Sequence, residues 1–350
     1  MLSICKRRNK MQSFFKKILI PVIIGFLLSG MGFDLTTQVM AKEVIVWKMA
    51  TKMPPESPEG KAFQLFADKV KEKSEGRMRI DVYPSEQLGK TEAVIEMVRA
   101  GTVHVYPEGI GYLERFIPAY GTVNLPFVFE NRAHWKRFVQ SPRVKKWEER
   151  LRREYGIRLL GDPAAFVRGP YRVLVSKKPI LSVEDVQGLK LRMYPNDTVI
   201  AVWQKLGADC IMLAWTEIYE SLQRGLVEAC TSPVALVDAM KFQEVAKYIL
   251  RTNEFPQGMA FMTNNKAFES LPSDLQQAVL EAHKEASEFS AKIMSEAAEE
   301  SIERMIERDG VTFIRAPMAP WRKKVRPLYE KWEEEKRIPQ GIIEYIEKLK

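Results

Sequence analysis

Cysteine is scarce in this chain of 350 residues: there are three, and one of them, Cys5, stands in the extreme N-terminal segment. A scaffold stapled by disulfides and a cysteine-rich metal finger are both excluded. Histidine is equally scarce. His104, His134 and His283 are the only ones, and they are too far apart for the H-E-x-x-H pair that seats zinc on one helix. Each reads as a core or surface histidine, and no metal site is expected. The nucleophile elbow G-x-S-x-G and the phosphate loop G-x-x-x-x-G-K-[ST] are missing too, while Gly109-Ile110-Gly111 lacks the third glycine of a dinucleotide loop. No catalytic constellation holds together, and no cofactor is expected. Repeats and low-complexity tracts are also absent.

Positive charge looks abundant at +9, but residues 1–41 hold six basic and one acidic side chain and account for +5 of it. The remaining 309 residues carry only +4, without a basic block or interleaved aromatics, so nucleic-acid binding drops out. The N-terminal charge belongs to a targeting segment. Lys6, Arg7, Arg8, Lys10, Lys16 and Lys17 precede the apolar run ILIPVIIGFLLSGMGF, and Val39 and Ala41 form a small-residue cleavage site. A signal peptide over 1–41, a mature start at Lys42 and a periplasmic location follow. The alternative is a retained anchor, since the run is about long enough for a thin span; Pro21 and the V-M-A sequence favour removal. No cysteine follows the run, which speaks against a lipoprotein.

The stretch from Gly188 to Pro233 organises the rest. LKLRMY, DCIML and LVEACT are short apolar runs bounded by Gly or Pro, which fits buried strands. Between the first two, Val199, Ile200, Val202, Trp203 and Leu206 recur at helical spacing, with Asn196 and Asp197 as candidate caps and Gly207 as the stop. A second helix runs from Thr216 to Gly225. Strand–helix–strand alternation with short loops predicts a parallel α/β unit, whose ligands sit beyond the carboxyl ends of the strands. Arg192, Trp215 and Ser232 fall at or just past those ends. In this unit the first strand lies between the other two, so Cys210 and Cys230 are about two strand spacings apart and stay free thiols.

The N-terminal part shows the same alternation. EVIVWKMAT is a strand; Ser57 and Pro58 open a helix with Ala62, Phe63, Phe66 and Val70 inward; MRIDVYP, TVHVYPEG and NLPFVF read as further strands. The Gly- and Pro-rich segment GDPAAFVRGPYRVLVSKKPI suits a hinge between domains. RTNEFPQGMAFMTNN returns as a strand, Ser273 to Asp309 reads as one long or kinked helix, and Trp321, Leu328, Trp332 and Ile343 mark a docked helical tail.

These motifs carry a resemblance. GLKLR, then ML-x-W-TEIYESLQRGLVEA, then KFQEVAKY are similar to G-L-K-x-R, P-x-x-F-x-E-V-Y-x-A-L-Q-x-G-V-V-D-G and K-F-Y-E-V-x-K-Y of the DctP-type solute-binding proteins of tripartite ATP-independent periplasmic (TRAP) transporters. EGRMRIDVYPSEQLG and LPFVF match that family's opening. The resemblance implies a two-lobed α/β fold of the periplasmic-binding-protein kind, with parallel-type sheets in each lobe and a long helix spanning both. Lobe I is expected over 42–169 and 258–297, lobe II over 170–257 and 298–350. It further implies a receptor that closes around a small organic acid and presents it to the small and large membrane subunits of a TRAP permease, with no enzymatic activity. A monomer is expected.

By the same resemblance Arg192 and Arg172 grip the ligand carboxylate, with Arg168 the weaker alternative to Arg172. Trp215 stands where the family has Phe, and Glu108 is placed to receive a ligand hydroxyl or amine. Ser232 replaces the Asn of the family's E-N-P, and Tyr194 and Asn196 flank a changed turn. The larger Trp215 with the smaller Ser232 points to an aromatic or branched monocarboxylate. The rival reading, a secreted α/β hydrolase or lyase, would use carboxylates such as Glu108 and Glu217.

Overall fold

The computed structural model describes residues 43–350; the targeting segment and the cleavage site lie outside them. Within these residues no helix is long and apolar enough to cross a membrane. In chain order the strands are β1 (Ile45–Ala50), β2 (Met78–Tyr83), β3 (Val105–Gly109), β4 (Ile157–Leu159), β5 (Phe166–Val167), β6 (Arg172–Ser176), β7 (Lys190–Met193), β8 (Asp209–Met212), β9 (Ala229–Pro233), β10 (Tyr248–Arg251), β11 (Gly258–Asn264) and β12 (Thr312–Ile314). They form two sheets. The first has the order β2-β1-β3-β11-β4, with β5 also on β11; the second has the order β12-β10-β6-β9-β7-β8.

Both sheets keep the parallel pairs expected of βαβ units: β1 with β2 and β3, β7 with β8 and β9. Each is mixed, however, because the segments that pass between the sheets arrive antiparallel: β11 against β3 and β4, β6 against β9 and β10. β7 does lie between β8 and β9, and Cys210 and Cys230 are free.

Local signals act where expected. Ser57 accepts from the Gly60 amide and caps the helix Pro58–Lys73; Asn196 accepts from Val199 and caps Asp197–Leu206, which Gly207 ends in the left-handed region at φ 114°. NLPFVF is a departure. It forms no strand but a turn whose side chains Leu125, Phe127 and Phe129 are buried, with Phe127 at φ 65°. A buried apolar run reads alike in either state, since burial rather than strand pairing selects its residues.

Two apolar layers, one on each side of the sheets, run through both lobes. Val173 and Val175 of β6 enter one with Phe63, Phe261 and Val234, while Leu174 enters the other with Leu191, Trp203 and Trp321, as a period of two requires. The long helix Ser273–Glu307 packs on Pro58–Lys73 of the first lobe and Val234–Ala239 of the second. Glu285 pairs with Lys69 and Lys73, and Arg304 and Arg308 reach Asp238.

Candidate functional site

The strand ends of the two sheets meet where buried charge converges. From lobe I come Lys52, just past β1, and Tyr112, just past β3; the crossing segments supply Arg168 and Gln257; lobe II supplies Arg172, Arg192, Tyr194, Trp215, Thr231 and Leu236. The cavity they enclose has about 20 Å³ of free volume, room for about one water, so an organic acid reaches it only as the lobes part. A larger hollow of about 550 Å³ on the rim is lined by Glu92, Glu114, Arg115, Asp197 and Arg337. It lacks the convergent buried cations of the inner cavity.

Arg192 leaves β7 pointing into the cavity. Its Nε and Nη2 both donate to the carbonyl of Leu213, at 2.9 and 2.7 Å, and its guanidinium lies 5.7 Å over the Trp215 ring. It is buried, yet it forms no ion pair with any described carboxylate. Burial accordingly pulls its pKa down. With the Nε edge engaged on Leu213, the Nη1–Nη2 edge is the one left for a two-bond grip on a carboxylate.

Arg172 is held differently. Its Nε meets Glu254 Oε1 at 2.5 Å, Nη2 donates to Thr231 Oγ1 at 2.7 Å, and Nη1 donates to Gln257. Glu254 also accepts from Trp203 Nε1 at 3.0 Å. Arg172 therefore lines the wall as one half of a buried, hydrogen-bonded pair.

Lobe I presents a buried quartet. Glu108 accepts from Arg168 Nη1 and from the Gly109 amide, both at 2.6 Å, and lies 2.7 Å from Lys52 Nζ. Burial pushes its pKa up, but the charges of Arg168 and Lys52 outweigh it and hold the carboxyl at about 2. Arg168 Nε is also 3.0 Å from Glu59. Burial lowers the pKa of Lys52 against the pull of Glu108. Its ammonium sits 5.5 Å over both the Tyr112 and Trp215 rings.

The expected site residues thus divide. Arg192, Arg172, Arg168, Trp215 and Tyr194 line the cavity together; Trp215 carries a buried Nε1–H without a partner, and Tyr194 packs against Tyr112 with ring centroids 5.3 Å apart and the planes tilted by 44°. Glu108 stands behind the wall with its oxygens engaged. Asn196 spends its oxygen on the helix cap and its amide on the Gly111 carbonyl at 3.2 Å, tying the lobes together. Ser232 is buried outside the lining and donates to the Pro233 carbonyl at 2.9 Å. Its neighbour Thr231, which accepts from Arg172 Nη2, lines the cavity instead. Ser232 therefore does not widen the cavity towards an aromatic or branched acid.

Lys52, Tyr112, Gln257 and Thr231 carried no local signal, since their convergence depends on the crossings between sheets. Of the hydrolase carboxylates, Glu217 is exposed on the rim, paired with Lys90, and Glu108 is buried; bonding and neighbouring charge keep both ionised, which suits neither to be a general acid. Among the described residues no cluster of His, Cys, Asp and Glu has the make-up of a metal site.

Comparison with known proteins converges on one family. Residues 49–336 match the bacterial extracellular solute-binding protein family 7, DctP. The C4-dicarboxylate-binding periplasmic protein DctP of Rhodobacter capsulatus is 25% identical over 320 residues, 89% of this chain and 94% of that one. The 2,3-diketo-L-gulonate-binding periplasmic protein YiaO of Escherichia coli is 26% identical over 246 residues, covering 70% and 74%. A TRAP periplasmic solute-binding protein from Ochrobacterium anthropi, solved with bound L-fuconate, superposes with a TM-score of 0.80 at 26% identity, over 87% of this chain and 99% of that one.

Proposed function

The chain belongs to the bacterial extracellular solute-binding proteins of family 7, and from that premise we propose that it is a TRAP receptor whose lobes close on a small organic acid with the carboxylate seated on Arg192. The observation that supports this reading best is the buried guanidinium without an acid partner. An uncompensated buried charge is costly, and a ligand carboxylate removes that cost while gaining charge-assisted hydrogen bonds. Trp215, Tyr112 and Tyr194 offer ring faces, and Thr231, Gln257 and Lys52 offer polar groups, with Leu236 the one aliphatic side chain of the wall. This lining favours hydroxylated acids, the kind bound by the Ochrobacterium anthropi relative, over branched aliphatic ones. The ligand passes unchanged to membrane permease subunits, and a cleaved signal peptide exports the receptor. A micromolar complex requires about −8 kcal/mol, and a few charged hydrogen bonds at about 1.5–3 kcal/mol each approach it.

Mass spectrometry of what co-purifies with the 42–350 chain, followed by calorimetry against a panel of sugar acids, succinate and branched acids, tests the reading. The expected outcome is stoichiometric binding of a hydroxylated acid, recovered intact after incubation. Absence of binding across the panel, or conversion of the bound acid, overturns it.

A further inference from the structure

Glu59 belongs to the buried quartet of lobe I but differs from Glu108 in how it is held. It lies in the first turn of the helix Pro58–Lys73, fully buried; its Oε1 is 3.0 Å from Arg168 Nε, its one charged contact, and its Oε2 has no partner, whereas Glu108 is held by Arg168, Lys52 and the Gly109 amide. A buried carboxylate with a single ion-pair contact and one unpartnered oxygen is the member of such a cluster that gains most by taking a proton. Burial accordingly raises its pKa, against the pull of Arg168. The charged groups that act on it are Arg168, Glu108 and Lys52. Charges on the helices packed against it are engaged elsewhere: Asp238 with Arg304 and Arg308, and Glu281 and Glu285 with Lys73 and Lys69.

The buried charges around the cavity can be counted. Lys52, Arg168, Arg172 and Arg192 are the cations; Glu59, Glu108 and Glu254 are the anions. With Glu59 ionised there is one positive charge in excess, and with Glu59 protonated there are two. We infer that Glu59 sets how many negative charges the site accepts: a monoanionic acid fits with Glu59 ionised, and a dianionic acid enters together with one proton from solvent, which Glu59 takes. Glu59 does not line the cavity; it is a positioning residue acting through Arg168 and Lys52. The inference rests on the acid-receptor reading.

Calorimetry on the 42–350 chain with D-galacturonate and galactarate, which share a carbon skeleton but carry one and two carboxylates, tests it. Titrations between about pH 6 and pH 8, in two buffers of different ionisation enthalpy, give the protons exchanged. For the wild type, galactarate is expected to take up about one proton and to weaken by up to about tenfold per pH unit, while galacturonate shows neither effect. Glu59→Gln should abolish the uptake and shift preference towards galactarate by on the order of tenfold; Glu59→Asp should retain both behaviours. Galactarate binding to the wild type without proton uptake overturns the inference, as does an unchanged proton count in Glu59→Gln. If that variant fails to fold, the wild-type proton count decides alone. Binding of neither acid, nor of any acid in the wider panel, overturns the receptor reading and this inference with it, whereas equal proton counts for the two acids overturn only this one.

Discussion

The two faces of the cleft handle buried charge in opposite ways. On the lobe I face, Lys52, Arg168, Glu59 and Glu108 answer one another, so the face is closed electrically before any ligand arrives. On the lobe II face, Arg172 is matched by Glu254, but Arg192 has only a backbone carbonyl and an indole ring. The same residue type thus meets two surroundings: one guanidinium is matched by a buried acid, and the other, with none, is the one we propose for the ligand. Burial alone does not separate them, since Arg172 and Arg192 are equally buried. The partner does.

Removing Arg172 should have the largest effect on the fold, because it strands Glu254 as a buried, unpaired carboxylate. Arg172→Ala is expected to destabilise the ligand-free protein by about 3–5 kcal/mol in denaturant melts. Arg192→Ala strands no charge. Its melting should stay near wild type while affinity for the acid falls by about 2–5 kcal/mol, a factor on the order of 30 to several thousand. Arg192→Lys keeps the charge without the planar fork and should restore only a minor part of the binding. Equal losses of apo stability in the two alanine variants would erase the distinction between the lobes.

Acid should separate the faces as well. Glu108 has its folded pKa depressed, from 4.5 to about 2, so its contribution to stability is full above about 4.5 and fades as pH falls towards 2. Glu254 has the opposite sign: burial raises its pKa, so its titration does not weaken the fold in acid. His283, whose buried ring is pushed down to about 4, weakens the fold earlier, as pH falls from about 6.5 to 4. Melting temperatures of wild type and Glu108→Gln between about pH 2 and pH 7 should therefore converge at the acid end and diverge above about 4.5, with Glu108→Gln the lower. Parallel curves would mean that Glu108 is not ionised against Arg168 and Lys52.

What the sequence revealed follows the reach of each signal. The βαβ unit around β7, the caps at Ser57 and Asn196, the stop at Gly207 and the free thiols were legible because each depends on neighbours along the chain or on one handedness rule. The place of Arg192 and Trp215 in the cavity wall was legible because the strand ends of such a unit open into the cleft. Lys52, Glu59, Glu108 and Arg168 were not legible as a quartet: they come from different segments, and only the crossings between sheets bring them within ion-pair distance. Glu108, expected to meet the ligand, is consumed by that quartet. The turn at Leu125 to Phe129 was read as a strand because its apolar run is buried as strands are.

The smallest expected effect concerns two neighbouring residues of β9. Ser232 stood out because a motif position had changed, but it is Thr231, hydrogen-bonded to Arg172, that lines the cavity. Thr231→Val keeps the shape of the side chain and removes the acceptor for Arg172 Nη2, leaving one donor of a buried guanidinium unsatisfied. A loss of about 1–2 kcal/mol in affinity is expected, accompanied by a modest fall in apo stability. Ser232→Ala removes only a hydroxyl bonded to the adjacent Pro233 carbonyl, behind the wall. Its affinity should stay near wild type for every acid in the panel. Calorimetry on the two variants side by side checks the lining directly: if Ser232→Ala weakens binding more than Thr231→Val does, the lobe II wall must be redrawn around Ser232.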